Sequence, residues 1–508
     1  MLNFTPIARP FFIARAKTLT HHCDDLERVQ KRTLARLLEM ARSTEVGREY
    51  GFSSIHGPQH YAERVPMRPY EEIRPQVMRM VAGEKDVLWP GVTRRFAQSS
   101  GTSDGRSKFI PVTDASLRMN HYEGSKSVVA EYLSLYPDSR IFGGRSFILG
   151  GSFATELRDV PPHVRVGDLS ANMIEAMPSS AGLFRVPRSK DVALMCDWKD
   201  KLPALVRASI GADVRTLSGV PSWFLAVLRE IMKQAGAESI HEVWPNLEVF
   251  FHGGIAFGPY REQYEAITDK SKMRYLETYN ASEGFFAVQD RRQPGAMLLL
   301  PDVGIYYEFE PLDGGKPVSA WEVEQGKVYA LILSAPNGLW RYSTGDTVCI
   351  ETVNPLRISI AGRTKLYINA FGEELMVHNS DAALAETCRK LGCEVSDYTA
   401  APVYTTDHSR GRHQWLVEFT GQMPDIKEFA AELDRALCAE NSDYAAKRSG
   451  SIFLDPVEVI PLPAGTFNNW LASTGKLGGQ RKVPRLSPDR RIVDAILNDT
   501  ESLRYSHA

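Results

Sequence analysis

No CxxC pair occurs in this sequence, and its six cysteines (Cys23, Cys196, Cys349, Cys388, Cys393 and Cys438) lie scattered along 508 residues. That spacing argues against a disulfide scaffold and against a cysteine zinc site, and it fits a chain working in a reducing cytoplasm. Long apolar runs are missing too. No uncharged apolar stretch approaches the ~20 residues that a membrane helix needs. The run Phe11-Phe12-Ile13-Ala14, set between Arg9 and Arg15, is too short for a signal-peptide core. Neither sign of charge is in strong excess, the formal net charge being -2. Bulk attraction to nucleic acid or to an anionic bilayer is therefore not expected, so neither a nucleic acid nor a membrane is anticipated as a partner. Any polyanion that binds must be held by local groups.

What is present is the composition of a globular protein, 43% apolar and 24% charged. The length exceeds what one hydrophobic core usually serves, so two or three domains are expected. Leu26, Val29, Leu34, Leu37, Leu38 and Ala41 follow helical spacing after Asp24-Asp25, which sit well at a positive helix start. From about residue 92, short β-prone runs alternate with glycine turns and helical patterns. Phe147-Ile148-Leu149 reads as a buried strand running into Gly150-Gly151. Residues 221–234 read as a helix, with Pro221 near its first turn, Gly236 past its end, and Phe224, Val227, Leu228 and Ile231 as its stripe. Residues 247–251 form another strand, ending in His252-Gly253-Gly254. This alternation predicts an α/β sheet with ligand sites at strand ends. Strand runs at 297–300, 306–309, 328–333 and 347–350 make a β-rich subdomain. Beyond Gly362 a smaller α+β unit is expected, with helices near 380–390 and 425–439 around a strand at 414–419. The expected division is a large domain over 1–361, a hinge over 362–375 and a small, mobile C-terminal domain over 376–508.

Five segments carry residues suited to chemistry. Ser99-Ser100-Gly101-Thr102-Ser103-Asp104-Gly105-Arg106-Ser107-Lys108 gathers hydroxyls, two glycines and a lysine within ten residues. Backbone N–H groups, hydroxyls and one cation make a phosphate cradle, although GxxxxGK[ST] spacing is absent; a flexible surface loop has the same composition. Its β-prone flanks, Arg95-Phe96-Ala97 and Phe109-Ile110-Pro111-Val112, favour a structured hairpin. Tyr279-Asn280-Ala281-Ser282-Glu283-Gly284 combines an aromatic face, a hydroxyl and a carboxylate able to hold Mg²⁺; taken alone, a Tyr-Asn turn with a solvated glutamate is the usual explanation. Leu339-Trp340-Arg341-Tyr342-Ser343-Thr344-Gly345-Asp346 offers an aspartate that can accept both hydrogens of a ribose diol, or a hairpin turn. Gly362-Arg363-Thr364-Lys365, followed by Ile368-Asn369-Ala370-Phe371-Gly372-Glu373-Glu374, suits a basic interdomain turn. Gly479-Gln480-Arg481-Lys482-Val483-Pro484-Arg485 suits a late basic loop.

In order and spacing these five segments resemble adenylate-forming enzymes. Within that superfamily, SSGTSDGRSK, YNASEG, YSTGD, GRTKLYINAFGEE and GQRKVPR are most similar to a bacterial-type member of the Gretchen Hagen acyl-acid amido synthetases, whose plant members conjugate auxin and jasmonate to amino acids. The resemblance runs from roughly Val65 to Arg485. It implies that ATP and Mg²⁺ are used to turn a small carboxylic acid into an acyl-AMP, whose acyl group passes to an amine such as that of an amino acid. It further implies that Ser99, Ser100, Gly101, Thr102, Ser103 and Lys108 hold the β- and γ-phosphates. Tyr279 would stack on adenine, Gly253-Gly254 would pass along the base, and Ser282 would approach the α-phosphate. Glu283 would ligate Mg²⁺, Asp346 would bind the ribose with help from Arg363, and Lys482 would reach the α-phosphate from the small domain. Plant members carry a lysine where Glu374 stands here, so Lys365 or Lys482 would take that part. An acid pocket is expected against the helix at 221–234, with Trp223 and Phe224 as candidate walls. His252 is a candidate base for the amine. Two other readings share these residues, an acyl- or aryl-CoA ligase and an inactive nucleotide-binding scaffold.

Overall fold

The computed structural model describes residues 2–99, 107–155, 157–255, 257–312, 314–363, 367–404, 410–420, 423–451, 453–473 and 483–506. Two compact units emerge, one built from Met1–Ser99 with Lys108–Thr364 and one from Ser100–Ser107 with Lys365–Ala508. The architecture is mixed α/β, with large sheets flanked by helices, as the alternating pattern predicts.

A twelve-stranded sheet runs through the first unit. From one edge its order is Val318–Ser319, Tyr306–Pro311, Val328–Ser334, Tyr342–Val353, Leu356–Arg363, Met297–Leu299, Gly284–Val288, Arg274–Ala281, Val249–His252, Val214–Gly219, Arg145–Ile148 and Arg185–Val186. From Arg274–Ala281 to Arg185–Val186 every pairing is parallel. Every pairing on the other side of Arg274–Ala281 is antiparallel. That strand is therefore the seam between two kinds of sheet, and its C-terminal end delivers Tyr279. Ligands of parallel sheets gather at such carboxyl ends.

A separate three-stranded sheet places Arg95–Ser99 between Lys108–Pro111 and Arg165–Gly167. Its hairpin register pairs Ser99 with Lys108, so the two ends of the first motif meet across the ladder.

Helical periodicity holds where it is strong. Leu26–Ala41 is a helix that buries Val29, Leu34, Leu37, Leu38 and Ala41. Pro221–Ala235 is a helix stopped by Gly236 at φ 65°, a left-handed value that favours glycine. Its Phe224 ring lies edge-on between Phe147 and Phe250, with centroids 5.2 and 5.3 Å away. Phe224 is thus core rather than a pocket wall.

Two elements differ from expectation. Thr5–Asp24 is a full helix, although the sequence marks it only as a short apolar run. It buries Leu19, Ala16 and Cys23 but is anchored largely by polar contacts, Arg15 donating through Nη2 to Asp302 Oδ1 at 2.8 Å. The strand expected at 347–350 begins earlier and spans Tyr342–Val353. Its turn-like Thr344-Gly345-Asp346 is absorbed as a bulge.

In the second unit Gly411–Thr420 lies between Glu394–Tyr404, antiparallel, and Glu458–Leu462, parallel. The helices Val377–Leu391 and Ile426–Glu440 pack on one another. Asp425 caps the latter by accepting N–H bonds from Lys427 and Glu428, both at 2.9 Å. Ala401, Leu416, Leu462 and Phe467 form part of the core.

Candidate active site

Three of the motifs singled out in the sequence meet at one phenol. Lys108 Nζ donates to the Tyr342 hydroxyl at 3.1 Å, and that hydroxyl donates to Glu283 Oε1 at 3.2 Å. Lys108 closes the first hairpin, and Glu283 with Ser282 forms the two-residue turn between Arg274–Ala281 and Gly284–Val288. Asn337 holds that turn by donating Nδ2–H to the Glu283 carbonyl at 3.1 Å. A second clamp follows: Asn120 accepts the Phe285 N–H at 2.7 Å and donates to the Phe285 and Val303 carbonyls, both at 3.0 Å. A buried side-chain amide thereby takes the place of a neighbouring strand.

The bulge in Tyr342–Val353 aims the aspartate. Ala330 pairs with Thr347 and Ile332 with Ser343, so Thr344, Gly345 and Asp346 together face the single Leu331. Gly345 adopts φ 87°, and Thr344 Oγ1 both donates to the Leu331 carbonyl at 2.9 Å and accepts the Asp346 N–H at 3.1 Å. Bulges of this kind re-aim side chains. Here Asp346 turns to accept a 2.6 Å bond from the Tyr279 hydroxyl. Tyr279 is only 5% exposed, its ring edge-on to Phe286 at 4.8 Å. Tyr279 and Asp346 therefore form one unit, and Arg363 pairs with Asp346 across the ladder.

Gly253 and Gly254 follow the strand next to the seam. A Cβ on Gly253 would lie 2.4 Å from the Thr278 carbonyl oxygen, so only glycine fits that approach. Gly254 takes φ 84°. His252 just before them is buried, stacked on Phe257 at 4.2 Å, and its Nδ1 has no hydrogen-bond partner among the described residues. Burial, with a smaller contribution from Arg261, pushes its pKa down to about 3. So weakly basic a ring is better suited to packing than to proton abstraction. The unfolded chain takes up this proton below its ordinary value of 6.5 while the folded chain does not, so stability falls as pH drops from 6.5. His252→Phe should remove that penalty: the stability lost between pH 7 and 5, read by urea unfolding, should shrink by about 2 kcal/mol. An unchanged loss would disprove it.

Ser100, Gly101, Thr102, Ser103, Lys365 and Lys482 lie outside the described residues, as does the side chain of Arg363. In the second unit the hinge motif has its own internal device. Glu373 is fully buried and accepts N–H bonds from Ala370 at 3.2 Å and Phe371 at 2.6 Å, while His413 Nε2 lies 2.7 Å from its Oε1. The loop so held sets Glu374 at φ 39°, with Asn441 donating to its carbonyl at 3.2 Å.

Among the described residues no trio of His, Cys, Asp or Glu could hold a metal alone. One partly exposed carboxylate beside a lysine suits Mg²⁺ that arrives with phosphate oxygens and water as its other ligands. Sequence reasoning missed Tyr342, Asn337, Asn120 and Thr344 as supports.

Family models match three segments: the GH3 family N-terminal domain over residues 15–174 and 188–273, its central domain over 297–363 and its C-terminal domain over 378–491. The chain is 24% identical to jasmonoyl-L-amino acid synthetase GH3.5 of Oryza sativa subsp. japonica, over 95% of this chain and 96% of the relative. It is 22% identical to the probable indole-3-acetic acid-amido synthetase GH3.1 of Arabidopsis thaliana, over 94% and 92%. Among solved structures, AtGH3.15 acyl acid amido synthetase in complex with 2,4-DB shares the fold with a TM-score of 0.62, 17% identity and coverage of 98% and 97%. A 2-hydroxyisobutyryl-CoA ligase in its thioesterification state does so with a TM-score of 0.57, 13% identity and coverage of 94% and 92%.

Proposed function

From the premise that this chain belongs to the GH3 family, we propose that it is an ATP-dependent acyl-acid amido synthetase. It adenylates a carboxylic acid and transfers the acyl group to the amine of an amino acid or a similar acceptor. The observation that carries this reading is the Tyr342 hydroxyl held between Lys108 and Glu283. It sets a cation and a carboxylate, drawn from distant motifs, around one point beside the Tyr279–Asp346 pair.

A carboxylate is a poor acyl donor because it is anionic and its leaving group is oxide. In the first half-reaction its oxygen attacks the α-phosphorus of ATP, pyrophosphate leaves, and a mixed anhydride forms. Lys108, with Ser99, Ser100, Gly101, Thr102 and Ser103, holds the β- and γ-phosphates, and Lys482 adds positive charge at the α-phosphate. Glu283 holds Mg²⁺, which neutralises phosphate charge when bound. Ser282 lies toward the α-phosphate, Tyr279 and Gly253-Gly254 flank the adenine, and Asp346 with Arg363 receives the ribose. In the second half-reaction the amine attacks the carbonyl carbon, AMP leaves and a proton is released, giving an amide without a side-chain nucleophile. We assign the hinge to residues 362–375, between domains at 1–361 and 376–508. The boundary between the compact units, at Thr364 and Lys365, falls within that stretch. The smaller domain turns there between the half-reactions, and closure keeps water off the anhydride. A reducing cytoplasm suits the free cysteines.

The fold shared with a CoA ligase keeps thioester formation as the second reading. Exchange of labelled pyrophosphate into ATP is expected only when an acid is supplied, across a panel of aryl, indole and fatty acids. Adding amino acids should then yield an amide and AMP. A thioester formed with CoA in place of the amide would overturn the amide reading. No exchange with any acid would favour an inactive scaffold.

A further inference from the structure

A cavity of about 790 Å³ lies in the first unit where the helices Thr5–Asp24, Leu26–Ala41 and Tyr122–Leu135 converge. None of Lys108, Tyr279, Glu283 or Asp346 lines it. Its wall carries five Arg and Lys side chains against two carboxylates, in a chain whose net charge is -2. Two of those cations are already neutralised: Arg15 by Asp302, and Lys126 by Glu123 at 3.2 Å. The other three are Arg32 and Arg36, one turn apart on Leu26–Ala41, and Arg118, in the helical turn Leu117–His121 that leads into Tyr122–Leu135. No hydrogen bond or ion pair joins any of them to another described residue. Like charges one helical turn apart repel, and an anion between them relieves that repulsion.

We infer that this cavity is a second anion site, taking a soluble phosphate monoester with an apolar group. Three guanidinium groups match a tetrahedral dianion, which accepts paired N–H bonds from more than one arginine. The volume exceeds what inorganic phosphate needs and falls in the range of organic-ligand pockets. Phe11 and Met119 offer the carbon surface for the rest of the molecule. Met119 directly precedes Asn120, the residue that clamps the strand after Glu283. The occupant therefore rests one residue from a support of the nucleotide site.

Phenyl phosphate is the probe, titrated calorimetrically into the full chain. Wild-type protein should bind it more tightly than inorganic phosphate and less tightly as salt rises. Arg32→Ala/Arg36→Ala, at exposed positions outside the proposed catalytic machinery, should weaken binding at least ~10-fold, the scale of one lost charge-assisted contact. Its acid-dependent pyrophosphate exchange should stay at the wild-type rate. Undiminished binding by the double variant would place the probe elsewhere and overturn the proposal. Equal affinity for phenyl and inorganic phosphate would overturn the apolar half. Sedimentation with phosphatidate vesicles, with no calorimetric signal from phenyl phosphate, would overturn the soluble ligand.

Discussion

Glu283→Gln is expected to lower acid-dependent ATP–pyrophosphate exchange by ~10²-fold or more, the scale of losing one strong transition-state contact. The substitution keeps the shape of the side chain, and its carbonyl oxygen can still accept the Tyr342 hydroxyl, now 3.2 Å from Oε1. What it removes is the charge proposed to hold Mg²⁺ against the phosphates. Because Asn337 grips the turn through the Glu283 carbonyl, the backbone should stay in place. The melting temperature should therefore move little while the rate collapses. Asp346→Ala should lower the same rate on a similar scale at sub-saturating ATP and recover as ATP is raised, through a higher KM, because its proposed contact is to the ribose in ground and transition state alike. Wild-type exchange in both variants would refute the assignment of this corner to the nucleotide.

Arg341→Met should cost ~3–5 kcal/mol of stability, the usual consequence of stranding one member of a buried ion pair. Arg341 is 5% exposed and Glu308 4%, with Arg341 Nε 3.0 Å from both carboxylate oxygens. The same guanidinium donates through Nη1 to the Ala62 and Val65 carbonyls at 2.9 Å. It thus joins the segment before residue 66 to the sheet. Burial raises the Glu308 pKa above its ordinary value despite Arg341, and without the cation protonation becomes easier still. A carboxyl with a raised folded pKa loses stability as pH rises. Urea unfolding should therefore show the variant's deficit growing between pH 5 and pH 8. Arg341→Met/Glu308→Leu should recover much of it, since apolar replacements relieve the desolvation. A single variant as stable as wild type at pH 8 would show that the pair is dispensable.

Elements with one dominant period were legible in the sequence. The stripe from Val29 to Ala41 and the helix opened by Pro221 both declared themselves by spacing and caps. Thr5–Asp24 did not, because it carries Pro10 and its anchor is the Arg15–Asp302 contact, formed 287 residues apart. At the candidate site, the segments that hold Lys108, Glu283 and Asp346 stood out because each clusters polar chemistry within a few positions. Their supports did not. Tyr342 reads locally as one more core aromatic, and its meaning comes only from Lys108 and Glu283 on either side. Asn120 lies 165 residues from the backbone it clamps. The bulge at Thr344 to Asp346 looked like a hairpin turn because glycine in a turn and glycine in a bulge share the same local signature. Likewise, no local pattern announces that Glu373 will be buried against His413.

The seam at Arg274–Ala281 bears on how such an enzyme diversifies. On its parallel flank, the chain leaving Ile148 and Gly219 ends at one rim of the sheet. On the antiparallel flank, the strand carrying Asp346 is bonded to a neighbour on both sides. If the acid binds at that rim, as the helix opened by Pro221 suggested from sequence, selection or a protein engineer can retailor it while leaving the strand that carries Asp346 intact.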